Sequence, residues 1–268
     1  MAIDAAIDSA STTVRPMTPI ADIVRDIARG GLAGLIVGLA VLGPGARLVM
    51  RIHALIVPAA AGMATENGNR IGEITLGGTV ALLLFAGLFG AILLGVLWVV
   101  ISPWLPGGTV GRGIVGVPLA VALGAPQLIV LGNQDFIVLR HHPLVVVTLL
   151  ALIAILPLAL SIVDSWLDRR LPRGTPGSLA VAGYLGLAAL GGLFGLILLV
   201  QMLGEGRTQP LAVVTIGMGL ITLAWWFQRT SGRPAPSRWL VLTARTILVA
   251  GTIASAIAVW PALRFALL

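Results

Sequence analysis

Two arginines four residues apart, Arg47 and Arg51, stand in the segment GARLVMRIHAL (Gly45 to Leu55), amid residues that are almost all apolar, with His53 close behind. At that spacing in a helix both guanidiniums lie on one face. Two readings follow. They finish a membrane-spanning helix by reaching into the headgroup layer, or they hold an anion or pair with carboxylates to shape a pocket. The second reading has company in TENGNRIGEIT (Thr65 to Thr75), with Glu66, Asn67 and Glu73, and in NQDFIVLRHH (Asn133 to His142), with Asp135 and Arg140. Arg47, Arg51, Glu66, Asn67, Glu73, Asp135 and Arg140 therefore form the candidate ligand-binding set, suited to a small polar or anionic solute or a lipid headgroup.

Asp164 and Arg245 form a second candidate. Both fall at a similar depth inside apolar stretches, and an ionised group there needs a partner, so they are expected to pair, either as a structural tie or as part of a transport path. Asp168, beside Arg169 and Arg170, reads as an ordinary solvated loop. His53, His141 and His142 raise the question of a metal, but no HExxH or similar fixed spacing accompanies them, and neither a metal nor another cofactor is expected.

Several chemistries are missing. The 17 basic residues are all arginine, so no Walker lysine and no Schiff base is available. The chain has no cysteine, which removes disulfides, thiolate nucleophiles and thiolate metal sites. No G-x-S-x-G elbow, HExxH, nucleotide-binding glycine fingerprint or paired-aspartate motif occurs. The balance leans against an enzyme and leaves the question open.

What must position these residues is a set of apolar helices. The 268 residues are 58% hydrophobic and only 10% charged, with a mean hydropathy of +1.05, whereas roughly a quarter of the residues of a soluble domain are charged. This is an integral membrane protein. Its net charge of +7 is spread through the loops, which reads as a topology signal and not as a nucleic-acid surface. Richness in Ala, Gly and Leu with arginine in place of lysine points to a GC-rich bacterial genome, hence the bacterial cytoplasmic membrane.

A spanning helix needs about 20 largely apolar residues. Seven stretches qualify, running approximately from Gly30 to Arg51, Ile74 to Ile101, Gly113 to Gly132, Pro143 to Trp166, Ser178 to Leu203, Pro210 to Gln228 and Trp239 to Trp260. The expected fold is an all-α polytopic bundle. Residues 1–17 read as a mobile tail and 18–268 as one transmembrane domain. Thr18 can cap a helix, Pro19 suits its first turn and Asp22 its positive end. Ile20, Ile23, Val24 and Ile27 then oppose Asp22, Arg25, Asp26 and Arg29, as in a short amphipathic helix lying on the membrane surface. Placing the N-terminus inside puts ten arginines (15, 25, 29, 112, 169, 170, 173, 229, 233, 238) in the cytoplasm and six (47, 51, 70, 140, 207, 264) outside. The arginine bias thus favours N-in, C-out.

GLFGAILL (Gly87 to Leu94) recurs as GLFGLILL (Gly192 to Leu199), which suggests a weak inverted repeat of 30–132 and 143–228. Glycines at Gly31, Gly34 and Gly38, at Gly87, Gly90 and Gly95, and at Gly183, Gly186, Gly191, Gly192 and Gly195 suit close helix packing and a homo-oligomer face. Pro118, Pro126 and Pro157, and the run Gly43-Pro44-Gly45, are expected to bend their helices.

The pattern ARLVMRIHAL…TENGNRIGEITLGGT, followed by Asp135-Phe136 and LDRRLP (Leu167 to Pro172), resembles a group of multi-pass membrane proteins from GC-rich bacteria. It covers about the first two-thirds of the chain, and Thr65 to Thr79 is its most specific element. No established activity comes with that group, so the resemblance implies only that the Thr65 segment is more than a connector. The expected function is a small transporter-like or ligand-binding protein with a polar site at the outer face. The alternatives are a non-catalytic scaffold or complex subunit, and a membrane enzyme acting on lipid-linked substrates.

Overall fold

A computed structural model of the chain describes residues 19–65, 70–73, 75–172, 179–204, 209–233 and 235–268. Among these residues the structure is helical, with a lone β-bridge between Ala64 and Arg70. In chain order the α-helices are α1 (Pro19–Val37), α2 (Gly43–Ile56), α3 (Leu76–Leu82), α4 (Ala91–Ile101), α5 (Thr109–Leu128), α6 (Gln134–Val138), α7 (Pro143–Arg170), α8 (Leu179–Gly204), α9 (Gln209–Thr230) and α10 (Arg238–Leu267). A π-helical segment, Gly38–Leu42, joins α1 to α2, and a second, Leu83–Gly90, joins α3 to α4, giving two continuous rods. The described parts of the seven expected stretches are largely helical, although the third leaves the helix after Leu128, and five helices are long and apolar enough to cross a membrane: Ala21–Ile56, Thr109–Leu128, Pro143–Arg170, Pro210–Thr230 and Arg238–Leu267.

The surface pattern is that of a protein solvated by lipid. Phe227 is 73% and Ile257 69% exposed, whereas Arg25 is only 5% exposed. Apolar side chains face outward along the helices because acyl chains are as apolar as they are.

Residues 19–29 do not form a separate surface helix. They are the first turns of α1, which continues unbroken to Val37. Their polar face finds carboxylate and guanidinium partners on α7 and α9, described below, so it turns into the bundle and away from the headgroups. The break expected at Gly43-Pro44-Gly45 takes the form of the π turn just before it, where Gly43 N–H donates to Gly38 O. Pro44 has no N–H and its ring crowds the carbonyl four residues back, and widening the preceding turn relieves that conflict without ending the rod.

The first and second rods meet along small residues at four-residue spacing. Gly30, Gly34 and Gly38 lie against Gly87, Ala91 and Gly95, and backbone touches backbone. A methyl group at Gly34 would overlap the Ala91 carbonyl, one at Gly38 the Gly87 carbonyl, and one at Gly95 the Gly30 carbonyl. Gly31 lies off this seam, with its nearest neighbour, Ile92 Cγ2, 3.8 Å from the place of an added methyl. The two copies of the GLFG motif differ in backbone: the first runs from the π segment into α4, the second lies within α8.

Buried hydroxyls tie the remaining helices together. Ser255 Oγ on α10 donates to Ala122 O on α5 at 2.8 Å. Ser161 Oγ on α7 donates to Thr109 O, while Thr109 Oγ1 and Ser165 Oγ are 2.8 Å apart. Trp104, 1% exposed, donates its indole N–H to Val100 O at 2.9 Å and Thr222 Oγ1 at 3.1 Å, and its ring meets Trp225 edge-on at 5.6 Å. Thr222 Oγ1 in turn donates to Val100 O at 3.0 Å. Thr222→Val keeps the shape and removes these bonds, and should cost about 1 kcal/mol, measurable as a lower SDS-unfolding midpoint with helical content unchanged.

Candidate functional site

The described ionisable residues gather at two opposite ends of the bundle. At the end where α1 starts, four carboxylates meet three guanidiniums from α1, α7 and α9. Arg25 reaches Asp168 Oδ1 at 2.9 Å and also donates to the carbonyls of Asp168 at 2.7 Å and Leu171 at 3.2 Å. Arg29 lies 2.7 Å from Asp164, 2.5 Å from Asp168 and 3.5 Å from Asp26. Arg229 lies 3.1 Å from Asp26 and 3.9 Å from Asp22, with its guanidinium 5.3 Å over the Trp225 ring.

This corrects two expectations. Asp164 pairs with Arg29 and not with Arg245, because α1 packs beside α7 at this level; Arg245 instead donates through Nε to Trp104 O at 3.3 Å. Asp168 belongs to the last turns of α7 and not to a solvated loop, since two arginines of α1 draw its carboxylate into the cluster. With its guanidiniums matched to carboxylates, this end acts as a clamp that ties α1 to α7 and α9.

At the opposite end lies a cavity of about 360 Å³ between α2, α5, α6 and α7. His53, Thr65, Gln127, Asn133 and Asp135 contribute its polar wall, and Ala46, Met50, Phe136 and Leu149 are among its apolar lining. Local signals place these groups. Asn133 caps α6 by accepting from Asp135 N–H at 2.7 Å, which fixes Asp135 in the first turn. His142 caps α7 through Nδ1, which accepts from Leu144 N–H at 3.3 Å. Thr148 spends its hydroxyl proton on Val145 O at 2.9 Å, so its oxygen accepts from His53 Nε2 at 2.9 Å. That chain assigns the neutral His53 proton to Nε2 and leaves Nδ1 as an acceptor.

A second cavity, about 400 Å³, adjoins the first. Leu42, Gln127, Leu128 and Leu152 line both. Leucine and isoleucine dominate its wall, with Trp98, Gly116 and Ala120 contributing and Gln127 supplying the polar group where the chambers meet. From Val145 to Leu160 the pair of cavities follows α7 for roughly 22 Å at about 1.5 Å per residue.

Of the seven residues expected to share a site, the structure brings Asp135 to the polar chamber. Arg47 and Arg51 lie on the neighbouring face of α2: the chamber takes Ala46, Val49, Met50 and His53, about a hundred degrees around the helix from the arginines. Arg51 is exposed and donates to Gly72 O at 2.9 Å. Arg47 is half-buried, with Nε and Nη2 enclosed and unpartnered. Glu73 is exposed and lies 3.7 Å from Arg70. Arg140 is exposed, and both it and His141 turn the backbone with positive φ, 53° and 52°. Glu66 and Asn67 lie outside the described residues. His141 meets the Phe265 ring edge-on at 5.2 Å, and among the described residues no three His, Asp or Glu come together as metal ligands.

Compared with family models, curated proteins and solved structures, the chain matches none. Its site therefore stands on geometry alone. Sequence reading missed the roles of Gln127, Thr148 and Asn133. The Asn-x-Asp step into α6 is a capping signal that could have located the third; nothing local marks Gln127, whose position depends on the packing of α5 against α2 and α7.

The segment after α2 contributes Thr65 and Ile71 to the wall of the polar chamber. Gly62 N–H donates to Ile71 O and Ile71 N–H to Met63 O, both at 2.9 Å, which lays Ile71, 2% exposed, over the cavity wall. Gly72 permits this fold-back: its φ is +78°, and a methyl there would sit 2.5 Å from Ala54 Cβ.

Proposed function

We propose that the chain is a seven-span protein of the bacterial cytoplasmic membrane that binds, and in a transporter-like cycle moves, an amphipathic ligand. The polar end of the ligand occupies the chamber of His53, Gln127, Asn133 and Asp135, and its hydrocarbon part the chamber of Trp98 and Ala120. One observation carries this reading: a chamber with His53, Thr65, Gln127, Asn133 and Asp135 in its wall shares Leu42, Gln127, Leu128 and Leu152 with an adjoining apolar one. A purely polar solute would find no hydrogen-bonding wall in the second chamber, and a purely apolar one would leave the groups of the first unused. The length of the pair exceeds the roughly 15 Å of one leaflet, half of a hydrocarbon core of about 30 Å, so a single acyl chain can lie along it.

The bias of ten arginines against six supports an orientation with the Asp164 end inside the cell and the Asp135 chamber outside. A reporter fused after Leu268 is expected to be active only when its enzyme works outside the cytoplasm.

Occupancy is testable through Trp98, which is buried in the apolar wall. The purified full chain in a neutral maltoside detergent is titrated with a terminally brominated dodecanol, whose bromine quenches indole fluorescence on contact. The expected result is a saturable quench that disappears in Trp98→Phe. In Ala120→Phe, where a ring fills the chamber, affinity should fall at least about fivefold. A linear, unsaturable quench of equal size in all three proteins overturns the reading.

A scaffold or oligomeric role is favoured by one separate observation. Gly183 and Gly186 on α8 have open space where a side chain would stand, as a helix face awaiting another helix would. Because the chain has neither lysine nor cysteine, a Gly183→Cys variant tests this: an oligomeric face predicts a disulfide-linked dimer on mild oxidation in nanodiscs, and a chain that stays monomeric there counts against it.

A further inference from the structure

Arg47 and Arg51 remain to be explained, since they lie outside the chambers. They sit one helical turn apart on α2. Asp22, Asp26, Asp164 and Asp168 pair at the far end, Glu73 lies beside Arg70, and Asp135 lines the polar chamber on the neighbouring face. Arg51 holds a backbone carbonyl, which supplies no charge. Arg47 has Nε and Nη2 enclosed without an acceptor. Two like charges at this spacing repel each other, and enclosed guanidinium N–H groups without acceptors are unfavourable.

Apolar side chains flank the pair. Leu48, 61% exposed, and Leu55, 69% exposed, flank the arginines on the outer surface of α2. Arg47 lies about 27 Å along the rod from Arg29 at a rise of about 1.5 Å per residue, close to the far edge of a hydrocarbon core about 30 Å thick, at the depth of a phosphate reached by snorkelling.

We propose that Arg51, together with Arg47 once its guanidinium snorkels out of its enclosed position, forms a site for the phosphate of an anionic membrane lipid, with the acyl chains lying along Leu48 and Leu55. The site is separate from the two chambers and does not depend on what they bind. Guanidinium suits this task because it donates several hydrogen bonds in one plane and is less strongly hydrated than ammonium.

The test uses the purified full chain in a neutral maltoside detergent, with melting midpoint and lipid retention in native mass spectrometry as readouts. Three probes are compared: dioleoyl phosphatidylglycerol, dioleoylglycerol lacking the phosphate, and inorganic phosphate. Phosphatidylglycerol is expected to raise the midpoint and remain bound, and the other two to do neither. Arg47→Met keeps the apolar stem and removes the unpartnered charge. It is expected to melt higher than the parent without lipid and to bind phosphatidylglycerol about tenfold more weakly.

Equal stabilisation by dioleoylglycerol would show that the phosphate is not read. Equal stabilisation by inorganic phosphate would make this a free-anion site. A variant that melts lower than the parent and keeps its full response to phosphatidylglycerol would make Arg47 a structural residue. Each of these results overturns the proposal. Should Arg47→Met fail to accumulate, Arg47→Gln in the same titration decides.

Discussion

Gly34→Ala, a change of one methyl group, is expected to unfold or separate the first two rods, at a cost of about 3 kcal/mol or more. Overpacking a core ordinarily costs about 1–3 kcal/mol, because side chains can move into other rotamers. Here the added carbon meets the Ala91 carbonyl, with Gly95 N 2.9 Å away, and a backbone in a helix has no alternative rotamer. The rods would have to move apart, giving up contacts along the whole Gly30-Gly34-Gly38 and Gly87-Ala91-Gly95 seam. Gly31→Ala provides the contrast. With its nearest neighbour at 3.8 Å, it should be neutral or stabilise by about 0.5–1 kcal/mol, the usual gain of alanine over glycine inside a helix. Unfolding midpoints of the two variants in SDS measure the difference, and equal midpoints would deny the seam its role.

The second large effect belongs to Arg29. Its guanidinium faces Asp164 at 2.7 Å and Asp168 at 2.5 Å, and the Asp164 side chain is only 13% exposed. Arg29→Met leaves that carboxylate without its cation, and breaking a buried ion pair by removing one partner costs about 3–5 kcal/mol. Asp168 contributes little to the loss because it is half exposed and keeps Arg25. The double variant Arg29→Met with Asp164→Leu is expected to recover most of the stability, since neither charge is then buried alone. Arg245→Met, which removes one hydrogen bond from an exposed arginine, should cost about 1 kcal/mol or less. If Arg245→Met proved as damaging as Arg29→Met, the cluster at this end would be assigned wrongly.

The same two regions mark how far the sequence could be read. The helical stretches, the dominance of apolar surface and the four-residue spacing of Gly34 and Gly38 follow from composition and period. So does the depth of each charged residue along its helix, because counting residues at a fixed rise measures distance along the axis. The polar face of Asp22, Arg25, Asp26 and Arg29 follows from the same count, and each of its members is drawn on by the cluster with α7 and α9. The spacing of Arg47, Arg51 and His53 likewise put them near one end of the first rod.

What the count cannot supply is direction around the bundle. Asp164 took Arg29 in place of Arg245 because α1 packs against α7 there, and the polar face of α1 turned inward because α7 and α9 offered carboxylates and an arginine. Arg47 and Arg51 missed the chamber that His53 entered because each step along a helix turns a side chain by about a hundred degrees, and only neighbouring helices decide which direction faces a cavity. Level in the membrane is a one-dimensional property, written in residue order. Which side chains meet at that level is decided by helix packing, where backbone contacts such as those of Gly34 and Ala91 fix neighbours that no local pattern names.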